Sequence, residues 1–171
     1  RYNYEGNTNY KKITLNEEQL KASNEVITSF GTSNTFLLYG VTGSGKTEVY
    51  MNVIEEALKQ GKEAIMLVPE ISLTPQVVGK FIARFGNIIS VLHSRLSDTE
   101  RYDEYRKITS GEARIVIGTR SAVFVPFTNI GVIIIDEEHT SSYKQENHPR
   151  YNAKDIAIFR CKYHKCPVVL G

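Results

Sequence analysis

Phe36-Leu37-Leu38-Tyr39-Gly40-Val41-Thr42-Gly43-Ser44-Gly45-Lys46-Thr47 passes from an apolar run through a glycine-rich turn into a helical pattern. Its last eight residues fit the spacing G-x-x-x-x-G-K-[ST], with a strand before and a helix after. Glycines let backbone N–H groups curl around a polyphosphate, and the helix N-terminus adds a favourable dipole. Gly40, Gly43, Ser44 and Gly45 then line the cradle. Lys46 is placed against the β- and γ-phosphates, and the Thr47 hydroxyl is placed to ligate magnesium. The expected ligand is a purine nucleoside triphosphate with Mg²⁺, that is, ATP with its metal.

Outward from this loop, short apolar runs alternate with helical patterns. The runs lie at 36–39, 64–68, 88–92, 115–117, 132–135 and 168–170, and the helical stretches at 46–60, 75–85, 97–110 and 153–163. Thr74-Pro75 sets a cap before a first-turn proline, and Ser97-Asp98-Thr99-Glu100 reads as a capping box. Upstream, Asn16-Glu17-Glu18-Gln19 is a second box, opening a helix to about Phe30 on the spacing of Leu20, Val26, Ile27 and Phe30. Strands apolar throughout are buried on both faces, which predicts an α/β domain with a mostly parallel sheet and helices on each side.

The run Val132-Ile133-Ile134-Ile135 ends in Asp136-Glu137-Glu138-His139. Ligands of open parallel sheets sit at the carboxyl ends of strands, so Asp136 is expected beside the phosphate loop. There it can hold the metal while Glu137 orients and deprotonates an attacking water. Next comes Ser141-Ser142-Tyr143-Lys144-Gln145-Glu146-Asn147-His148-Pro149-Arg150-Tyr151. Tyr143 and Tyr151 offer stacking faces for bases, and Lys144 and Arg150 offer phosphate contacts. Local packing of the tyrosines with solvated cations is the alternative. Arg120, after Gly118-Thr119, is either a DNA-phosphate contact or a structural arginine, and His93-Ser94-Arg95 is equally open.

Composition limits the rest. Across 171 residues, 41% hydrophobic and 23% charged content is that of a globular domain, and a net charge of +2 announces no nucleic-acid partner by itself. No apolar run reaches the roughly 20 residues of a membrane helix, and the polar N-terminus does not resemble a signal peptide. Cys161 and Cys166 suit a reducing interior. With His164 they lack the second pair that a structural zinc site needs, so they are read as packing and surface residues and no zinc is expected here. Residues 1–12 read as a linker or disordered lead-in, and 13–171 as one lobe cut from a longer chain.

The Asp136–His139 tetrad resembles the Asp-Glu-x-His box of superfamily 2 helicases and translocases. Leu67-Val68-Pro69-Glu70-Ile71-Ser72-Leu73-Thr74-Pro75-Gln76 and Ile117-Gly118-Thr119-Arg120-Ser121-Ala122 resemble DNA-contacting motifs of that superfamily. The segments Gly40–Tyr50, Leu92-His93-Ser94, Ser142-Tyr143-Lys144-Gln145 and Pro149-Arg150-Tyr151 narrow the likeness to the bacterial replication-restart helicases, over about 15–171. Arg95 and Thr140 depart from that pattern, where a glycine and an aspartate are usual.

The resemblance implies the first RecA-like lobe of a cytoplasmic, monomeric 3′-to-5′ DNA helicase that reloads the replication machinery. It implies that Gln19 reads the adenine edge, that His139 and the aromatic loop couple DNA to ATP, and that primosome and single-strand-binding proteins are partners. It also implies that a Ser-Ala-Thr segment follows Gly171. The arginine finger, zinc-binding insertion and DNA-binding region of the family have no counterpart in these residues, so weak hydrolysis and no unwinding are expected of this lobe alone. A non-catalytic nucleotide- and DNA-binding module and a small self-contained NTPase are the competing readings.

Overall fold

The computed structural model describes residues 13–38 and 45–171; the lead-in at 1–12 and the loop positions Gly40, Gly43 and Ser44 lie outside these residues. In chain order the elements are α1 (Glu17–Thr28), β1 (Thr35–Leu37), α2 (Gly45–Lys59), β2 (Glu63–Leu67), α3 (Pro75–Phe85), β3 (Ile89–Leu92), α4 (Asp98–Thr109), β4 (Ile115–Gly118), β5 (Ile130–Ile135), β6 (Lys144–Gln145), β7 (Tyr151–Asn152), α5 (Ala153–His164) and β8 (Val168–Leu170). Short 3₁₀ turns occupy Glu70–Ser72, Arg120–Phe124 and Ser141–Tyr143.

Six strands form one sheet in the order β1-β8-β5-β2-β4-β3. Every pairing in it is parallel. Side chains alternate between two cores. Ile65, Leu67, Ile133, Ile135, Val168 and Leu170 face one layer with Ala157 and Cys161 of α5. Ala64, Met66, Val132, Ile134 and Val169 face the other, with α2 and α3. All six residues of β5 are buried, as a central strand covered on both sides requires. β1 departs from the expectation of full burial: it is an edge strand, and Leu37 is 43% exposed.

Caps set the helix boundaries. Asn16 and Gln19 bond reciprocally at 2.8 and 2.9 Å, and Ser97 and Glu100 do so at 3.2 Å in both directions. These bonds satisfy first-turn donors, each cap contributing about 1 kcal/mol.

The docking face of α1 differs from the predicted apolar stripe. Its buried residues are Gln19, Ser23 and Val26, while Leu20 is 47% exposed. Polar bonds to α2 turn the helix this way: Asn52 Nδ2 donates to Ser23 Oγ, and Gln19 Nε2 donates to the Gly45 carbonyl. The segment read as an irregular aromatic loop contains the antiparallel hairpin β6–β7. Among the described residues no helix is long and apolar enough to cross a membrane.

Candidate nucleotide-binding site

All six parallel strands end on one edge, and each segment singled out for its chemistry leaves a strand there. Gly45-Lys46-Thr47 follows β1, Glu70 follows β2, His93 follows β3, Arg120 follows β4, Asp136 follows β5, and Gly171 follows β8. Gly45, Lys46 and Thr47 open α2 and are all partly exposed. Tyr50 lies one helical turn beyond Lys46, on the same face. Its hydroxyl donates to Asp136 Oδ1 at 2.8 Å. The second turn of α2 and the acidic end of β5 are thereby joined.

Asp136 is held at several points. Its N–H extends the β2–β5 ladder by bonding the Leu67 carbonyl at 2.9 Å. Its own carbonyl accepts the Tyr143 hydroxyl, which also reaches Leu67 O at 3.3 Å. Burial, then the negative charge of Asp136, pushes both phenols well above the ordinary tyrosine range, so both stay protonated donors. Oδ1 carries the Tyr50 bond, whereas Oδ2 has no hydrogen-bond partner among the described residues.

Glu137 adopts φ 52°, the left-handed region that a branched backbone with Cβ rarely occupies. Its Oε2 lies 3.5 Å from His139 Nε2, with the His139 side chain 72% exposed. Such a pair in solvent contributes little stability. Glu138 faces elsewhere: its N–H donates to Gly171 O at 3.0 Å, and its carboxylate pairs with Lys154 at 3.1 Å.

Gln19 sits against the start of α2 with both ends of its amide in use. Oε1 accepts from Asn16 N at 2.9 Å and Nε2 donates to Gly45 O at 3.1 Å.

The aromatic segment divides by burial. Tyr143 is 2% exposed and part of the core, so its ring offers no face to a base. Its link to this site is the hydroxyl on Asp136. Lys144 and Arg150 are exposed on the hairpin, and Arg150 Nε bonds Glu146 O at 3.1 Å. Tyr151 packs edge-on against Phe124 at 4.8 Å. Arg120 reaches the same hairpin, donating to Lys144 O at 2.7 Å and Ser142 O at 3.4 Å.

At the end of β3, His93 Nδ1 accepts from Arg95 N at 3.2 Å, and Ser94 bonds Glu70 at 2.7 Å. Cys161 and Cys166 are buried together. His164 Nδ1 accepts from Ile130 N at 3.4 Å, so these three side chains serve packing and backbone satisfaction.

Tyr50 and Gly171 are the site residues that sequence reasoning left without a role. The four-residue step from Lys46 to Tyr50 was a usable signal. Its partner lies 86 positions away and was not. A Cβ on Gly171 would overlap the Tyr50 hydroxyl, which is why glycine stands there. The donors present suit magnesium, which takes one or two carboxylates and otherwise water and phosphate oxygens. Asp136 Oδ2 and the Thr47 hydroxyl are such donors. No group of three or more His, Cys, Asp or Glu side chains that could hold a metal occurs among the described residues.

Known proteins resemble this chain in sequence and shape. Replication restart protein PriA of Bacillus subtilis is 65% identical over 136 residues, 80% of this chain and 17% of that protein. The PriA of Haemophilus influenzae is 51% identical over 160 residues, 94% of this chain and 22% of its own length. The chain thus spans about a fifth of the curated relatives it matches. RecG bound to a three-way DNA junction superposes over 92% of this chain and 21% of its own, with a TM-score of 0.64 at 23% identity, a likeness of fold. The family model described as DEAD/DEAH box helicase matches residues 16–167, and the chain belongs to that family.

Proposed function

We propose that this chain is the ATP-binding motor lobe of a PriA-like, ATP-dependent DNA helicase that acts in replication restart and translocates 3′ to 5′. The observation that carries the reading is the bond from Tyr50 to Asp136, which ties α2, one turn beyond Lys46, to the acidic end of β5. Lys46, in the first turn of α2, would offset charge on the β- and γ-phosphates, while Thr47 and Asp136 would hold the cation. Bound magnesium would draw further charge from the phosphate oxygens. Glu137 orients the attacking water in line with the γ-phosphate and accepts its proton.

DNA is the polymer partner, met along the edge where Arg120, Lys144, Arg150 and Tyr151 lie, with His139 linking that edge to Glu137. Primosome and single-strand-binding proteins are the expected protein partners, and a monomer the expected form. The lobe alone binds nucleotide but hydrolyses it weakly, because the arginine that completes the site in similar helicases belongs to a second lobe.

The test is a calorimetric titration of Mg·ADP into this chain and into a Lys46→Ala variant. Saturable binding that the substitution abolishes supports the reading. A folded wild-type chain that binds no nucleotide rejects it.

A further inference from the structure

Tyr50 is buried at 1% exposure, yet its hydroxyl lies where three parts of the site converge. It donates to Asp136 Oδ1 at 2.8 Å. Its other flank is closed by the backbone at Gly171, where a Cβ would overlap the hydroxyl oxygen and come within 3.1 Å of Asp136 Oδ1. The ring is anchored in the core cluster that α2 shares with the sheet.

An unrestrained aspartate rotates about its terminal torsion and presents either oxygen. Here one oxygen is occupied by a donor that cannot move, so the other is presented in a fixed direction. A partner that holds a metal carboxylate in this way typically changes metal affinity or activity 10–100-fold when lost.

We infer that Tyr50 is a positioning residue for the metal: it fixes Asp136 through Oδ1 and thereby sets how much magnesium the nucleotide site requires. This rests on the nucleotide-site reading above and deepens it. Tyr50 touches neither nucleotide nor metal, and acts only through Asp136. The backbone at Gly171, just past β8, keeps the hydroxyl from swinging away.

The experiment measures affinity of the full-length protein for a fluorescent ADP analogue across a magnesium titration, with Mn²⁺ binding followed in parallel by electron paramagnetic resonance. Tyr50→Phe should raise the half-saturating magnesium concentration about ten-fold and weaken Mn²⁺ binding similarly, while metal-free nucleotide affinity stays at the wild-type value. Asp136→Asn should remove the metal dependence, and adding Tyr50→Phe to it should change nothing further.

Gly171→Ala is the second route to the same result, since its Cβ must push the phenol off Asp136 with the tyrosine still present. A folded Tyr50→Phe or Gly171→Ala protein with wild-type magnesium demand overturns the inference. So does an equal loss of nucleotide affinity with and without metal, which marks Tyr50 as merely structural. Wild-type protein whose nucleotide binding ignores both magnesium and Lys46→Ala overturns the site reading itself, and the inference with it.

Discussion

Arg120 Nη1 donates to the main-chain carbonyl of Lys144 at 2.7 Å, while the same guanidinium lies 5.9 Å from the centre of the Tyr151 ring. A residue just past β4 thus braces both strands of the hairpin that follows Asp136. Tyr143, at the base of that hairpin, reaches Asp136 and Leu67 from inside the core. A displacement of the hairpin would therefore be felt at Asp136.

That arrangement separates two roles for Arg120. As a point charge for a DNA phosphate, it should be replaceable by lysine. As a brace that bonds two carbonyls through Nη1 while lying over a ring, it should not, because an ammonium has no planar face to lay over Tyr151. DNA-stimulated ATP hydrolysis by the full-length protein should fall about ten-fold in both Arg120→Ala and Arg120→Lys, at unchanged DNA-free rate. Rescue by lysine, together with a shallower salt dependence of DNA binding in the alanine variant, would assign Arg120 to the phosphate instead.

What sequence could and could not reveal follows from the range of each interaction. Runs such as Val132–Ile135 are apolar at every position, which only a doubly covered strand tolerates, so the central sheet was readable. Thr74-Pro75 marked the start of α3, and Phe85 its end, because capping is a matter of neighbours. The docking side of α1 was legible only in part: Val26 is buried in the core, but Leu20 is exposed, and Gln19 and Ser23 bury polar groups that find partners in Gly45 and Asn52. The Arg120 brace was hidden for another reason: its acceptors are main-chain carbonyls, which carry no residue signature. Tyr143 looked like a stacking surface because composition does not tell a buried ring from an exposed one.

Arg84, at the end of α3, bonds Glu55 at 2.8 Å and lies 3.8 Å from Glu48, with its side chain only 7% exposed. Glu48 is itself 4% exposed and sits one residue past Thr47. Removing the cation takes a positive charge from beside a buried carboxylate. Arg84→Ala should cost about 3 kcal/mol, which for a domain of this size lowers Tm by roughly 10 °C. Combining it with Glu48→Gln should recover most of that loss in a thermal melt. A double variant no more stable than Arg84→Ala would show that the guanidinium acts through packing rather than charge.

His164 supplies the pH dependence. Burial, and then the Arg160 guanidinium, lower its pKa below the ordinary histidine range, and its Nδ1 serves as acceptor for the Ile130 N–H. The unfolded chain therefore binds the proton more readily than the folded one, and stability falls as pH drops below about 6.5. The slope levels off only below the folded-state value. Denaturant midpoints measured from pH 8 to pH 5 should decline modestly, and His164→Asn should flatten that decline. An unchanged slope in the variant would move the effect to another histidine.

Glu137 tests whether the acidic strand end is built for chemistry at the expense of stability. A residue with Cβ in the left-handed region costs about 1–2 kcal/mol, and the ion pair this side chain makes with His139 is exposed. Glycine would relieve the strain, offset in part by about 0.5–1 kcal/mol of additional chain entropy in the unfolded state. Glu137→Gly should thus be as stable as the wild type, or more stable by up to about 1 kcal/mol. If Glu137 is the base, Glu137→Gln and Glu137→Gly should both lower ATP hydrolysis by the full-length protein at least 100-fold, the usual share of a positioned base. Nucleotide affinity should stay at the wild-type value in Glu137→Gln, since the base acts on water rather than on phosphate. Hydrolysis that survives in both variants would transfer the proton to another acceptor at this edge. A glycine variant that is clearly less stable would mean that the left-handed turn is held by contacts worth more than its strain.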